Sequence, residues 1–315
     1  MTHCQTFYDQ LEGHLMLLPL THAAVPHHST ASTEPQQSKP TPYDPPSDLQ
    51  LGVPNIRTHL LLEKSDVTFS REITWSTWNP EKPKIATNRL VVETGNAADE
   101  IHVRSWPGDK LPFIINGRPY VLDAKALQGP DQSLLIKTNG GDDRVIVDDD
   151  VKHLLEVEGG AGNDFIQAGG GMSGLFGGGG HDTLLLGSNS GYAEGNDGDD
   201  LIIGASGNTI MLGNAGNDRL YAGFGNAHKQ NLLDGGDGDD KLYAGSGNNY
   251  LKGGKGDDLL TGHDRTSFYT GEDNDRITNH QPTDSIHTRV NDHWTLAQST
   301  ALNEAIPGKA GEQPS

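Results

Sequence analysis

The stretch GGDGDDKLYAGSGNNYLKGGKGDDLLT, residues 235–261, consists of three consecutive units of nine residues. Each unit has glycine at its second and fourth positions and leucine at its eighth. The sixth position alternates, being Asp240 in the first unit, Asn249 in the second and Asp258 in the third. Short repeats of this kind indicate a solenoid. Because the two aspartates lie 18 residues apart, the alternation predicts two units in each coil.

The same frame runs through the middle of the chain. Units with an acidic sixth position recur between residues 138 and 280, and four of the seven intervals between their aspartates are 18 residues long. One interval of 22 residues is explained by a four-residue insertion at residues 227–230. The sixth-position aspartates are Asp143, Asp164, Asp182, Asp200, Asp218, Asp240, Asp258 and Asp275.

Each unit divides into a glycine-rich turn and a short strand. Glycine adopts positive φ without strain, which allows the tight turn. In a strand of about three residues, only the middle side chain points inward when its neighbours point outward. The eighth position, the middle of that strand, is apolar in every acidic unit and predicts a thin internal column. Its members are Val145, Ile166, Leu184, Ile202, Leu220, Leu242, Leu260 and Ile277.

The aspartates cannot stack along the coils without compensation. Neighbouring strands lie about 4.8 Å apart, so one carboxylate in each coil would form a ladder that repels itself. Calcium takes roughly six to eight oxygen ligands, from carboxylates and backbone carbonyls alike. A glycine-rich turn exposes its carbonyls and the aspartate adds charge, so the pattern favours a hard divalent cation between the turns.

The frame G-G-x-G-x-D-x-(apolar)-x resembles the RTX calcium-binding nonapeptide repeat, which GGAGNDFIQ (159–167), GGDGDDKLY (235–243) and GGKGDDLLT (253–261) match in full. The resemblance covers residues 138–280 and implies an all-β, right-handed parallel β-roll with calcium between successive turns. It implies the eight aspartates as ligands, together with the backbone carbonyls of positions one to four of each unit. The expected carbonyls are those of Gly159, Gly160, Ala161, Gly162, Gly177, Gly179, Gly195, Asp197, Gly213, Ala215, Gly235, Asp237, Gly253 and Lys255. A metal-free glycine-rich solenoid is the alternative.

The second unit of each coil departs from the family pattern, because no carboxylate occupies its sixth position. The residues there are Ser173, Gly191, Thr209, Asn231 and Asn249, and Ser267 is expected to follow them. Amides and hydroxyls can stack and bond to one another without repulsion. We therefore predict calcium on one edge only, with at most seven ions between eight acidic turns.

Outside the repeats, composition predicts three further segments. Residues 1–55 are polar and proline-rich, which predicts disorder. Residues 56–137 are rich in strand signals, with a hairpin turn at Asn116-Gly117, and are expected to cap the roll. Asp99 and Ile101 fit the sixth and eighth positions of a degenerate unit there. Residues 281–315 are expected to form a polar tail. Helical patterns are short and scarce, as at residues 59–64 and in parts of the tail after residue 285.

One outward column is also predicted. The ninth positions Leu185, Ile203, Tyr221 and Tyr243 lie one coil apart and should stack on a sheet face. Cross-strand packing accounts for such a column, and a binding surface for a partner is the alternative.

Charge and motifs limit the classes of function. A net charge of −20 disfavours nucleic acid and anionic membrane surfaces as partners. No apolar run is long enough for a membrane span, and Cys4 alone permits no internal disulfide. Residues 15–20, LMLLPL, lack the positive start of a secretory signal, so we expect no cleaved N-terminal signal peptide.

No catalytic motif was found in the sequence. The sequence predicts an extracellular, secreted calcium-binding repeat protein with a structural or binding role, whose roll folds on external calcium. The alternative is a bacterial host-directed effector or virulence factor, related to repeat-bearing toxins or proteases and lacking a recognisable catalytic domain. A host or cell-surface partner is left open in both cases.

Overall fold

The computed structural model describes residues 43–50, 52–53, 55–76, 82–105, 110–123, 132–271, 273–290 and 293–297. All regular structure in these ranges is β-strand. The predicted disorder of the N-terminal segment therefore lies almost entirely outside the described residues. No helix in the described ranges is long and apolar enough to cross a membrane.

The described strands form two long sheets. In spatial order, the thirteen-stranded sheet contains β1 (Asn55–Glu63), β2 (Val67–Ser76), β3 (Lys84–Thr94), β7 (Gln132–Lys137), β9 (Leu154–Ala161), β11 (Ser173–Gly179), β13 (Gly191–Asp197), β15 (Thr209–Ala215), β17 (Gln230–Asp237), β19 (Asn248–Lys255), β21 (Arg265–Thr270), β23 (Ser285–Val290) and β24 (His293–Ala297). The eleven-stranded sheet contains β22 (Arg276–Thr278), β20 (Leu259–Thr261), β18 (Lys241–Tyr243), β16 (Arg219–Tyr221), β14 (Leu201–Ile203), β12 (Thr183–Leu185), β10 (Phe165–Gln167), β8 (Arg144–Val147), β4 (Glu100–Val103), β5 (Lys110–Ile115) and β6 (Arg118–Asp123).

The chain winds between these sheets as a parallel solenoid, which confirms the predicted fold class. From β7 to β23 it alternates between the sheets, and each strand pairs in parallel with the strand one coil away. The described solenoid has about nine turns with a period of about 18 residues. The predicted internal column is in register and buried, with Ile166 opposite Leu184 and Leu184 opposite Ile202.

The region before the repeats continues both sheets. β3 pairs in parallel with β7, and β4 pairs in parallel with β8, which places Ile101 opposite Val145 in the core. The hairpin of β5 and β6 turns at Asn116 and Gly117, both with positive φ, as the sequence predicts. The boundaries at residues 55, 137 and 280, and the role of residues 56–137 as a cap, stay predictions.

Two stretches with a short helical pattern contain β-strand in the described residues. Residues 59–63 contribute to β1, where a register shift between Leu60 and Leu62 accommodates three consecutive leucines against β2. Residues after 285 form β23, which pairs in parallel with β21, and β24, which pairs antiparallel with β23. The open edge of the preceding coil supplies backbone partners there, so strand pairing overrides local helical propensity. The parts of the expected polar tail at 285–290 and 293–297 are thus sheet, and residues 298–315 lie outside the described residues.

The predicted outward column is present. Leu185, Ile203, Tyr221 and Tyr243 pair in sequence across adjacent strands. The rings of Tyr221 and Tyr243 are stacked, with centroids 4.5 Å apart and an interplanar angle of 1°.

Candidate metal centre

The sixth-position aspartates form a buried column along one edge of the roll, which we call the aspartate edge. Exposure of the eight predicted residues ranges from 0% at Asp218 to 3% at Asp143. Asp99 extends the column as expected from its unit, and it is also buried. With Asp99, nine carboxyls leave eight intervals, one more than the eight predicted residues alone provide.

Hydrogen bonds connect these aspartates from coil to coil. The backbone N–H of each one donates to Oδ1 of the aspartate in the next coil, at 2.6–3.0 Å, from Asp99 through to Asp275. One oxygen of each carboxyl group from Asp143 to Asp275 is therefore held in place by a backbone N–H, whereas Oδ1 of Asp99 accepts Nδ2 of Asn116 at 2.6 Å. Since the donor is backbone, the geometry depends on the coil spacing and not on a side-chain partner.

The second carboxyl oxygen is buried and makes no hydrogen bond in the described structure. This holds for Oδ2 of Asp99, Asp143, Asp164, Asp182, Asp200, Asp218, Asp240 and Asp258. At the end of the column, Oδ2 of Asp275 instead accepts the backbone N–H of Gly271 at 2.7 Å. A buried carboxylate oxygen without a partner is costly, and a bound cation or a proton would compensate it.

Six of the acidic units begin with glycine, and the missing side chain of that glycine leaves a space beside the aspartate Oδ2 of the same unit. A Cβ built on Gly235 would lie 2.1 Å from Oδ2 of Asp240 and 2.7 Å from the carbonyl oxygen of Gly253 in the next coil. The same pair of contacts recurs at Gly159, Gly177, Gly195 and Gly213. The regular strand pairing is also interrupted at this position, as between Phe176↔Glu158 and Gly178↔Gly160.

The second- and fourth-position carbonyls face along the solenoid axis. A Cβ on Gly178 would lie 1.9 Å from the Gly160 oxygen, and one on Gly180 would lie 2.1 Å from the Gly162 oxygen. The turns thus present carboxylate and carbonyl oxygens to the space between coils. An all-oxygen donor set with negative charge suits calcium, so the residues present fit the ion that the repeats imply.

The predicted carbonyls divide into two groups. First-position carbonyls from Gly177 onward lie near the aspartate Oδ2 atoms, and those of Gly160 and Gly162 face the gap between coils. The Gly159 carbonyl accepts the Thr138 hydroxyl at 2.7 Å. Third-position carbonyls already accept an N–H from a fourth-position glycine of the preceding coil, at 2.7–2.8 Å. They are those of Ala161, Gly179, Asp197, Ala215, Asp237 and Lys255. The ligand assignment stays a prediction for both groups.

One set of candidate residues is missing from the sequence prediction. It is an outer ladder at the fifth position, where each backbone N–H donates to the side chain one coil earlier. Its members are Asp142, Asn163, His181, Asp199, Asn217, Asp239, Asp257 and Asn274. An acceptor side chain at every fifth position was the signal that could have revealed this ladder.

Burial changes the acidity of the aspartate edge. Removal from water raises the pKa of Asp143, Asp182 and Asp218 to about 6, of Asp200 and Asp258 to about 7, and of Asp240 to about 8. Neighbouring carboxylates act in the same direction on most of them, while the backbone hydrogen bonds oppose it. Without a cation, the folded column therefore retains protons that the unfolded chain has released.

This difference predicts a pH dependence for the metal-free chain. Because the folded pKa values lie above the unfolded value of 3.8, the folded state binds more protons, and stability falls as the pH rises from about 4 to 8. In metal-depleted buffer, we expect the β-sheet circular dichroism signal to be stronger at pH 6 than at pH 8, both above the pI of about 4.9. Asp240→Asn should reduce this dependence, and Asp237→Asn on the exposed surface should not. A β-sheet signal that grows with pH in the unmodified chain would contradict the prediction.

The opposite edge, which we call the neutral edge, has no carboxylate in its predicted column. Ser173, Gly191, Thr209, Asn231 and Asn249 are in register, as expected. Ser267 is not the next member, because the following turn is one residue shorter. Thr266 lies opposite Asn249, and Ser267 lies opposite Tyr250. The column then ends at Asp284, whose Oδ1 accepts the Thr266 N–H at 2.9 Å and whose Oδ2 accepts the Gln281 N–H at 2.6 Å.

Comparison with known families supports the geometry. The family model of the RTX calcium-binding nonapeptide repeat (4 copies) matches residues 156–184, 194–227 and 231–264. These ranges contain six of the edge aspartates: Asp164, Asp182, Asp200, Asp218, Asp240 and Asp258. Searches of curated proteins and of solved structures gave no significant match. The chain thus contains RTX calcium-binding repeats folded as a parallel β-roll.

Proposed function

We propose that this is a calcium-responsive protein whose roll folds when calcium binds along the aspartate edge. Calcium binding itself follows from the RTX repeats. The observation that supports coupling to folding is the row of eight buried Oδ2 atoms without hydrogen bonds. These oxygens come together only in the coiled structure, so an ion that binds them stabilises the folded state over the unfolded one.

We further propose that the protein acts outside the cell, in a structural or binding role. Extracellular calcium modules bind with dissociation constants of about 10⁻⁴–10⁻³ M, which matches the calcium supply there. A chain that needs such concentrations would stay unfolded before export and fold after it. The predicted absence of a cleaved signal peptide concerns residues outside the described ranges and stays a prediction. A host-directed effector stays the alternative.

Substitution of one edge aspartate tests the proposed calcium site. Asp218→Asn keeps an oxygen for the Asp200 N–H but removes the charge, and Asp218 adjoins two intervals of the column. In a calorimetric calcium titration, we expect two sites to weaken by at least about tenfold, since even an outer partner of a ligand typically contributes that much. Magnesium should bind poorly, because it requires tighter octahedral geometry.

Asp197→Asn is the control, because it removes one charge from an exposed side chain in the acidic turn before that of Asp218 and keeps the main-chain carbonyl in place. It should leave the number of sites and their affinities unchanged. Equal titrations for Asp218→Asn and Asp197→Asn would place the calcium sites elsewhere. A calcium stoichiometry above the eight intervals of the aspartate edge would show that the neutral edge also binds calcium.

A further inference from the structure

Lys229 is a buried lysine whose ammonium group contacts backbone carbonyls. The residue is 1% exposed and is among the largest fully buried side chains of the described structure. Its Nζ donates to the carbonyl oxygens of Ala205 at 2.6 Å, Gly223 at 3.3 Å and Ala222. No ion pair of Lys229 with a carboxylate occurs within the described residues. An ammonium group is thus held between two turns by oxygens of the main chain.

These carbonyls correspond to those that surround the open space on the aspartate edge. Ala222 and Gly223 are the first and second residues of one neutral-edge turn, and Ala205 is the second residue of the turn before it. A Cβ on Gly204 would lie 2.5 Å from the Ala222 oxygen, just as one on Gly235 would lie 2.7 Å from the Gly253 oxygen. Lys229 therefore supplies a positive charge to the neutral-edge counterpart of a candidate calcium site.

The four-residue insertion at 227–230 places this lysine. It lengthens one turn, and the backbone N–H of Lys229 donates to the Asn226 carbonyl at 3.0 Å within it. The Lys229 carbonyl accepts the N–H of Asn248 in the next coil at 2.8 Å, so the backbone remains in the inter-coil network. The insertion thus allows the Lys229 side chain to point back into the turn, while β15 and β17 stay in register.

Asn249 also connects turn carbonyls, between the last two neutral-edge turns of the repeat region. Its Nδ2 donates at 2.9 Å to the carbonyls of Gly245 and His263, which are the second residues of two consecutive turns. Its Oδ1 accepts the Gly245 N–H at 3.0 Å and Nδ2 of Asn231 at 2.7 Å. One carboxamide therefore connects two turns through the same type of carbonyl that Lys229 contacts.

Asn231 connects the turns that lie between these two sites. Its Nδ2 donates to the Ser246 carbonyl of the next turn at 3.0 Å, and its Oδ1 accepts the Thr209 hydroxyl at 2.9 Å. Lys229, Asn231 and Asn249 thus bridge three consecutive intervals of the neutral edge. All three are buried, with exposures of 1%, 4% and 5%.

We propose that the nitrogens of Lys229, Asn231 and Asn249 replace calcium on the neutral edge, so that residues 204–266 keep their turns together without metal. Calcium would then complete the roll from a segment that is already partly ordered. Burial lowers the pKa of Lys229 to about 8, which leaves most of the ammonium charged at neutral pH. This proposal concerns the edge that the proposed function leaves without calcium, and it does not depend on that function.

Hydrogen exchange in metal-depleted buffer at pH 7 tests the proposal, with Lys229→Met as the main variant. In the unmodified chain, residues 204–266 should exchange more slowly than residues 156–184. Lys229→Met leaves buried carbonyls without donors, and we expect exchange across residues 204–225 to become about 10- to 100-fold faster. The control is Lys252→Met in the same segment, because Lys252 forms a half-exposed ion pair with Asp234 and should have little effect. Equal exchange in the two variants would overturn the proposal.

Asn249→Asp provides an independent test if Lys229→Met fails to fold. It keeps an acceptor for the Gly245 N–H but replaces the Nδ2 donors with a carboxylate oxygen. We expect it to lose protection of residues 244–266 without calcium, and to bind one more calcium ion than the unmodified chain in calorimetry. Unchanged hydrogen-exchange protection of residues 244–266 and an unchanged number of bound calcium ions would both count against the proposal that the Asn249 amide replaces calcium. Loss of calcium sites in Asp218→Asn would not affect this outcome, so the two proposals can fail separately.

Discussion

Adding calcium to the metal-free chain at neutral pH is expected to produce a large, cooperative gain of β-sheet circular dichroism, and a chelator should reverse it. The roll contains eight buried carboxyl oxygens without hydrogen bonds, stacked one per coil. At neutral pH the unfolded chain keeps these carboxylates hydrated and ionised, whereas the folded column must bury or protonate them. Calcium removes this penalty at every interval of the column. An ion held between two coils would stabilise both of them, so binding should propagate along the roll.

A calcium titration at fixed ionic strength distinguishes specific coordination of calcium from general screening of the carboxylate charges. Magnesium at the same concentration provides equal charge but demands near-ideal octahedral geometry, and we expect little gain of signal from it. Part of the β signal should persist in the chelator if the neutral edge holds residues 204–266, and Lys229→Met should reduce that part. An unchanged spectrum on calcium addition, from a chain that is either already folded or still unfolded, would reject calcium-dependent folding.

The internal column and the aspartate edge could be predicted from sequence because both obey a strict period. Each coil of 18 residues places one aspartate and one apolar residue at the same depth, so counting alone gives the register of Asp164 with Asp182 and of Ile166 with Leu184. Burial on the inside of the turn then follows from alternation along the strand. The period alone predicts a solenoid, and the resemblance to the RTX repeat adds the parallel β-roll.

The features that the sequence did not predict arise where the chain departs from the 18-residue period. Counting residues along the repeat cannot resolve these positions. A turn shorter by one residue moves the neutral column from Ser267 to Thr266. In the sequence, the insertion at 227–230 looks like extra loop residues without a specific role. Only the three-dimensional structure shows that Nζ of Lys229 contacts carbonyl oxygens of the turns. The leucines of β1 look helical by their spacing, yet pairing with β2 decides their structure. Carbonyl ligands are also hard to predict from sequence, since every residue has a backbone carbonyl. Only the orientation of a carbonyl decides whether it can bind the ion.

Replacing Gly178 with alanine is expected to destabilise the roll severely, whereas the same change at the adjacent Gly179 should have little effect. Gly178 has φ of 116°, in a region that residues with a Cβ rarely adopt, and its Cβ would lie 1.9 Å from the Gly160 oxygen. That oxygen is main chain of the preceding coil and cannot move without displacing the ladder. Backbone strain and overpacking each cost about 1–3 kcal/mol, so the free energy of unfolding in saturating calcium should fall by about 3 kcal/mol or more.

Gly179 is a suitable control for Gly178, because a Cβ built on Gly179 has no atom within 4 Å and the φ of Gly179 lies outside the left-handed region. Gly179→Ala should therefore change the free energy of unfolding by less than about 0.5 kcal/mol in urea denaturation followed by circular dichroism. The Gly160 oxygen also faces the space between coils, so Gly178→Ala should weaken calcium binding near Asp164 and Asp182 as well as the fold. Equal urea midpoints for the two variants would mean that the coils are spaced more widely than the structure shows. In that case the oxygens facing each gap could not converge on one ion, and the tight spacing on which the calcium column depends would be refuted together with the stability prediction.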